Sequence, residues 1–90
     1  VKKVKKFKYD WRAVPDHINW LATYEGGEMA WGYVNKPYRK ENAGIWYETG
    51  GEWRHRVPVA PYRGHWTQSL EKRPSKAQLV EWVLNGAVVV

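Results

Sequence analysis

The 90-residue sequence contains no cysteine, which excludes disulfides and thiolate metal ligands. No apolar run approaches the ~18 residues that a membrane-spanning helix needs, so no membrane contact is expected. The basic N-terminus is not followed by an apolar segment, so no signal peptide is expected. The G-x-G-x-x-G, P-loop and G-x-S-x-G motifs are also missing. These absences favour a binding module over an enzyme.

Catalytic and metal-binding combinations are weak as well. The three histidines, His17, His55 and His65, do not have metal-site spacing, and a zinc site made from them with Asp16 has no support in the sequence. Ser69 is not set in the sharp turn that a nucleophilic serine needs. We therefore expect no enzymatic activity, no catalytic residue, no metal and no cofactor.

Acidic residues are missing from the N-terminus, where positive charge is concentrated. The chain has fifteen Lys and Arg against nine Asp and Glu, a net charge of +6. Five of the lysines lie in the first eight residues: Lys2, Lys3, Lys5, Lys6 and Lys8. We predict a basic N-terminal arm over residues 1–9, suited to an anionic partner, and a single small domain over residues 10–90. A solvated tail without a binding role is the alternative.

Aromatic residues are abundant, with seven Trp, six Tyr and one Phe. Each such ring can bury about 150–250 Å². A small domain without disulfides has few other sources of buried apolar area. Most of the rings are therefore expected in the core, which leaves a minority for recognition.

Two Gly-Gly pairs predict two β-hairpins. Around Gly26-Gly27, counting outward places Trp20 opposite Tyr33 and Ala22 opposite Trp31, with Ile18 on the same side of the sheet as these rings. Around Gly50-Gly51, the same procedure places Tyr47 opposite Arg54 and Trp46 opposite His55. The polar segment 35–42 between the hairpins is predicted as a loop.

A helix is predicted over Lys76–Asn85. Ser75 and Gln78 form a capping-box pattern, and Gly86 follows where a C-terminal cap belongs. Its apolar stripe is expected to consist of Leu79, Val80, Val83 and Leu84. The segment 87–90 either adds an edge strand or frays, and the alternation over 7–11 is compatible with a fifth strand. The predicted fold is α+β, with a small antiparallel β-sheet of two hairpins (four to five strands) and one C-terminal helix.

The second hairpin carries the candidate binding surface. Arg54 and Arg56 are two residues apart on one strand and therefore point the same way. Tyr47 is predicted opposite Arg54, and Arg63 follows after a short loop. Arginine suits phosphate oxygens and a neighbouring ring can stack on a base, so these residues predict a nucleic-acid-binding face. An ordinary solvated face with arginine stems covering the sheet is the alternative.

Several segments resemble a group of small accessory proteins of tailed phages. The resemblance lies in Trp11-Arg12-Ala13-Val14-Pro15, in Asn19-Trp20-Leu21-Ala22, in Gly32-Tyr33, Lys36-Pro37 and Trp46, and in a W-x-x-S-L-x-x-R-P ending over 66–74. It implies an accessory role in a phage and carries no functional residues with it. We interpret Ser69 and Arg73 of this ending as structural hydrogen-bonding residues.

The function predicted from the sequence is that of a non-catalytic nucleic-acid-binding accessory protein, phage-encoded and located in the host cytoplasm. The alternative is a phage protein that binds and inhibits a host protein such as a nuclease, a polymerase or a defence component. The oligomeric state is left open. The predicted nucleic-acid-binding residues are Lys2, Lys3, Lys5, Lys6, Lys8, Tyr47, Arg54, Arg56 and Arg63.

Overall fold

The computed structural model of the protein describes residues 5–40, 42–50 and 54–90. In these ranges the strands are β1 Lys5–Phe7, β2 Trp20–Thr23, β3 Ala30–Tyr33, β4 Tyr38–Arg39, β5 Trp46–Tyr47, β6 His55–Arg56, β7 Glu71–Lys72 and β8 Ala87–Val89. The α-helix α1 spans Lys76–Asn85, and two short 3₁₀ helices span Trp11–Ala13 and Trp66–Gln68. The predicted α+β class with one C-terminal α-helix is confirmed.

The central sheet has four antiparallel strands in the order β6-β3-β2-β7. Strands β2 and β3 form the predicted first hairpin with the predicted register, Trp20 opposite Tyr33 and Ala22 opposite Trp31. The side of the sheet predicted for Ile18 is wrong, because Ile18 packs in the cluster on the opposite side. Gly32 leaves space there: a Cβ on Gly32 would stand 2.8 Å from Ile18 Cγ2.

The predicted second hairpin is wrong in its pairing. Strand β5 pairs with β4, so Tyr47 lies opposite Tyr38 and not opposite Arg54, and the predicted loop 35–42 contains a strand. Strand β6 joins the edge of the central sheet, with Arg56 opposite Trp31. Residues 51–53 of the expected turn lie outside the described residues. Two-residue strands gain little from their own ladder, and here pairing follows ring contacts such as the Tyr38–Tyr47 stack, with centroids 5.6 Å apart.

The helix has the predicted bounds and caps but a different buried face. Ser75 and Gln78 make both hydrogen bonds of the capping box, and Gly86 ends the helix with φ +80°. Trp82 is buried and stacks on Phe7 with ring centroids 4.6 Å apart. Of the predicted stripe, Leu79 packs against the core, but Val80, Val83 and Leu84 are exposed, the last two at 76% and 74%. A helix of ten residues buries one narrow face, and the single indole removes more apolar area from water than the valines would.

The N-terminal segment is part of the folded domain from Lys5 onward. Strand β1 pairs with β8 in parallel, in a separate two-stranded sheet, and Phe7 and Tyr9 are buried in the core. Residues 5–9 of the predicted arm are therefore structural. The chain over 7–11 is not the proposed strand, because the strand ends at Phe7. Of the two alternatives for segment 87–90, the structure has the edge strand, because Ala87–Val89 form β8.

Side chains of the W-x-x-S-L-x-x-R-P segment hold the chain against β2. The Ser69 hydroxyl accepts a hydrogen bond from Thr23 N (2.9 Å) and shares its proton between Thr23 O (3.0 Å) and Trp66 O (2.6 Å). Arg73 Nε donates to Ile18 O (2.7 Å), and its Nη2 donates to Pro15 O. Both residues therefore bond backbone groups, as the sequence interpretation held.

Replacing Ser69 by Ala is expected to lower the free energy of unfolding by about 1–3 kcal/mol, because it leaves the buried N–H of Thr23 without a partner. Urea denaturation followed by tryptophan fluorescence measures this change. Gln68→Ala is the matched control, since this neighbouring side chain is exposed. Equal stability of the two variants would contradict the assigned role of the hydroxyl.

Candidate nucleic-acid interface

One side of the central sheet carries both rings and cations. Residues directly opposite each other in a ladder point to the same side. The registers therefore place Arg56 beside Trp31, and Tyr33, Trp20 and Lys72 in one row across three strands. We call this side, with the side chains packed on it, the aromatic–basic face. It comprises Trp20, Tyr24, Trp31, Tyr33, Trp46, Trp66, Lys36, Arg39, Arg54, Arg56 and Lys72.

The rings of the aromatic–basic face form a buried inner layer and a half-buried outer layer. Tyr33 and Trp46 are buried, and Trp46 Nε1 donates to Thr23 O at 3.1 Å. The other rings of the face are only half-buried: Trp20, Tyr24, Trp31 and Trp66. Half-buried rings that pack on buried rings keep their edges and parts of their faces accessible to a ligand.

Cations lie over these rings. Lys36 and Lys72 both approach Trp20, with Nζ atoms 5.4 Å and 6.0 Å from the ring centroid. Arg54 lies 4.7 Å from the centroid of Trp31. At exposed sites each such contact contributes only about 0.5–1 kcal/mol. These side chains are thus positioned on the face and can still turn toward an anion.

Arg39 spans two rings at the centre of the face. Its guanidinium carbon lies 5.8 Å from the centroids of both Trp46 and Trp66. The nearby β4–β5 ribbon adds Lys40, whose Nζ lies 4.5 Å from the Tyr47 centroid. The ribbon therefore extends the pattern of cations over rings beyond the central sheet.

Carboxylates neutralise little of this charge within the described ranges. The ion pairs found there are Lys5–Glu81 (3.3 Å), Arg12–Asp10 (2.9 Å) and Arg54–Glu48 (3.3 Å). A backbone hydrogen bond, with Arg54 beside it, lowers the pKa of Glu48 from its ordinary value, so the carboxylate stays charged. Of the face cations described, Arg54 alone is paired in this way.

The lysines of the predicted basic arm differ in their contacts. Lys8 Nζ donates to Gln68 O and Leu70 O, so this lysine supports the fold. Lys5 pairs with Glu81, and Lys6 is exposed on β1. The remaining two predicted arm residues, Lys2 and Lys3, lie outside the described residues.

The predicted folded-face residues are partly brought together. Arg54 and Arg56 lie on the aromatic–basic face as exposed residues, although Arg54 is paired with Glu48. Tyr47 lies on the ribbon, stacked on Tyr38. Arg63 is exposed and lines a cleft at the border of the face.

Sequence reasoning missed several residues of this face, notably Lys36, Arg39, Lys72 and the exposed side of Trp20. Lys36 and Arg39 were assigned to a polar loop. Lys72 is placed beside Trp20 by the pairing of β7 with β2, which lie some fifty residues apart in sequence. The only sequence signal for this pairing is the two-residue strand itself, which is too short to be recognised.

Other classes of site gain no support from the described residues. His17 and His55 approach each other, with ring centroids 5.3 Å apart. Even so, no group of three His, Cys, Asp or Glu residues in the described ranges is arranged to hold a metal ion. Within the same ranges no helix is long and apolar enough to cross a bilayer. Comparison with family models, curated proteins and solved structures found no match for this chain.

Two buried tyrosines have perturbed acidities. Burial raises the pKa of Tyr33 above its ordinary value, and a hydrogen bond with Tyr24 acts in the same direction. Burial also raises the pKa of Tyr9 to about 12. Both groups stay protonated in the folded chain at pH values where tyrosines of the unfolded chain lose their protons, near pH 10. For Tyr9 this contribution to stability is complete below about pH 10 and is lost as the pH rises toward 12, and for Tyr33 the contribution also declines as the pH rises above about 10.

We expect the free energy of unfolding to fall above about pH 10, by roughly 1.4 kcal/mol per pH unit for each retained proton. Tyr9→Phe removes one of these protons and should make the decline shallower. Urea denaturation at about pH 9, 10 and 11 measures the slope. Tyr38→Phe is the control, because Tyr38 is 44% exposed. An unchanged slope in Tyr9→Phe would contradict the assignment.

Proposed function

We propose that this protein is a non-catalytic accessory protein that binds single-stranded nucleic acid on the aromatic–basic face. The observation that supports this function is the placement of cations beside half-buried rings on neighbouring strands, with Lys72 opposite Trp20 and Arg56 opposite Trp31. Bases stack on aromatic rings irrespective of sequence, and lysine and arginine neutralise phosphates.

Single strands suit this face better than duplexes. Bases inside a duplex are stacked on each other, so they do not offer their faces to Trp20, Trp31 or Trp66. A duplex would contact only the cations. The proposal therefore includes a preference for single strands and little discrimination among sequences.

The positive charge of the first eight residues has a secondary role in this proposal. Lys6, and Lys2 and Lys3 beyond the described residues, add sequence-independent attraction to phosphate. Arg54, Arg56, Arg63 and the ribbon residue Tyr47 remain in the proposed contact surface. The resemblance to tailed-phage proteins supports, as part of the proposal, an accessory role in a phage and action in the host cytoplasm.

Replacing Lys36 and Lys72 together by Gln is expected to weaken binding of a single-stranded oligonucleotide about 5- to 30-fold, since each exposed contact contributes about 0.5–1 kcal/mol. The slope of log K against log[salt] should become shallower by about 1.4, because two phosphate contacts are lost. Fluorescence anisotropy of a labelled oligonucleotide and of its duplex, at about 50 and 200 mM NaCl, measures both quantities.

The matched control is Lys76→Gln, which removes an exposed lysine from the start of α1. Helix α1 packs through Trp82 in the cluster on the opposite side of the central sheet. The control should bind like the original protein. Failure of the original protein to bind single strands at the lower salt concentration would rule the function out.

A second candidate function is binding of a host protein, with inhibition of a nuclease, a polymerase or a defence component. The exposed residues Val80, Val83 and Leu84 on the outer side of α1 favour it. Exposed apolar side chains grouped on one element are typical of protein contacts.

The two functions are distinguished by a pull-down from nuclease-treated bacterial lysate. A protein partner of α1 should be recovered by the original protein and by the Lys36→Gln/Lys72→Gln variant. It should be lost with Val83→Asn/Leu84→Gln, because these exposed residues would supply the contact. Equal recovery by the α1 variant, or recovery only without nuclease, would contradict this second function.

A further inference from the structure

A cleft of about 340 Å³ lies at the border of the aromatic–basic face. Its lining includes Tyr24 and the Gly26-Gly27 turn, together with Tyr62, Arg63 and Trp66. Its volume lies near the lower end of the range for small-molecule sites, about 300–1,000 Å³. A ligand of the size of a single nucleotide matches this volume better than a longer segment does.

Two glycines of the cleft, Gly64 and Gly27, let neighbouring side chains lie close against the backbone. A Cβ on Gly64 would stand 2.5 Å from Tyr62 Cε2, so the bare backbone lets the phenol ring lie against residue 64. A Cβ on Gly27 would stand 2.0 Å from Thr23 Cγ2. Tyr62 N also donates to Thr23 Oγ1 at 3.0 Å, which anchors the Tyr62 segment to β2. The shape of the cleft thus depends on fixed backbone.

Three arginines surround the three rings of the cleft. Arg63 lines it directly and is exposed. Arg54 lies 5.7 Å from the centroid of Tyr24, and Arg39 lies 5.8 Å from that of Trp66. Arg54 is paired with Glu48, whereas Arg63 takes part in none of the ion pairs within the described ranges. Arg63 is therefore the cation in the cleft that can accept a new anionic partner.

The carboxylate of Glu25, next to the Gly26-Gly27 turn, is not part of the cleft lining. The Glu25 carboxylate lies beside Gly44, where its Oε2 would be 2.9 Å from a Cβ. The cleft therefore combines aromatic walls with uncompensated positive charge. This combination matches a planar base joined to a phosphate, because rings stack on the base and a guanidinium binds phosphate oxygens.

We propose that this cleft holds one nucleotide unit, with the base against the rings of Tyr62 and Trp66 and the phosphate at Arg63. This inference rests on the proposed function and names the subsite where a bound strand is held most closely. The same chemistry is present in a free mononucleotide and in one residue of a strand. The experiment therefore uses both, together with inorganic phosphate.

The first test uses Arg63→Gln and Gly64→Ala with the labelled single strand. Arg63→Gln should weaken binding about 3- to 10-fold and make the salt slope shallower by about 0.7, because one phosphate contact to a single strand is lost. Gly64→Ala adds no charge and displaces the Tyr62 ring, so it should weaken binding by about 5-fold or more, as expected when one stacked base is lost. Lys76→Gln again serves as the control, and thermal unfolding verifies that each variant is folded.

The second test follows the amide signals of Gly26, Gly27 and Gly64 by NMR. Each of AMP, CMP, GMP and UMP is added in turn, and inorganic phosphate is added separately. Mononucleotides should shift these signals, and phosphate alone should not. Equal shifts with phosphate would reduce the site to an anion contact and overturn the proposal.

The failure of this inference differs from the failure of the proposed function. If single strands bind, and the Lys36→Gln/Lys72→Gln variant is weakened while Arg63→Gln is not, the cleft is not a nucleotide site and the face alone binds. Should Gly64→Ala fail to fold, Arg63→Gln and the NMR signals still decide the question. If no strand and no mononucleotide binds, both proposals are wrong.

Discussion

The hydrogen bonds between the Ser69 hydroxyl and the backbone of Thr23 are the interaction on which the rest of the structure depends. Strands β2 and β7 pair through Leu21 and Glu71, and the same register continued by two positions brings Thr23 opposite Ser69. There the chain turns into the 3₁₀ helix, and the hydroxyl takes over both bonds to the Thr23 backbone. A side chain thus continues the ladder where the backbone cannot.

The same strand position gathers two further segments. Tyr9 Oη donates to Ser69 O and accepts from Thr23 Oγ1, at 2.8 Å each, and Thr23 Oγ1 accepts from Tyr62 N. Within the described residues no buried side-chain polar atom lacks a partner. Because unpaired buried groups are costly, this network orients the N-terminal segment and the Tyr62 wall of the cleft together.

The central sheet has two sides that are covered to different extents by the described residues. Helix α1 and the N-terminal segment close the side that contains Trp11 and Leu21. Among the described residues, the other side is covered by the short β4–β5 ribbon and by the Trp66 segment, and the rings of Trp20, Tyr24 and Trp31 there are half-buried. Lysine and arginine stems lie over such rings because they shield apolar area while keeping their charge in water. The arrangement that completes the fold thus also leaves the rings and cations accessible on which the proposed function rests.

Local signals made part of this molecule predictable. The Gly26-Gly27 turn and the alternation around it determine the first hairpin and its register. The Ser75–Gln78 capping box and Gly86 determine the bounds of α1. Each of these features depends on residues within a few positions of one another, so backbone geometry and hydrogen bonding act without reference to the rest of the chain. The abundance of rings and of positive charge, and hence the general composition of the proposed binding surface, is likewise a property of the sequence.

Tertiary structure alone decided which residues form that surface. The partners of β5 and β6 depend on where the rings of Tyr38, Tyr47 and Trp31 pack, and two-residue strands carry no local signal strong enough to choose. The rotation of α1 depends on a competition between one indole and several aliphatic side chains for a single buried face. Lys72 meets Trp20 only because distant strands pair. In each case the decisive free energy comes from burial between segments far apart in the chain, which no short stretch of sequence contains.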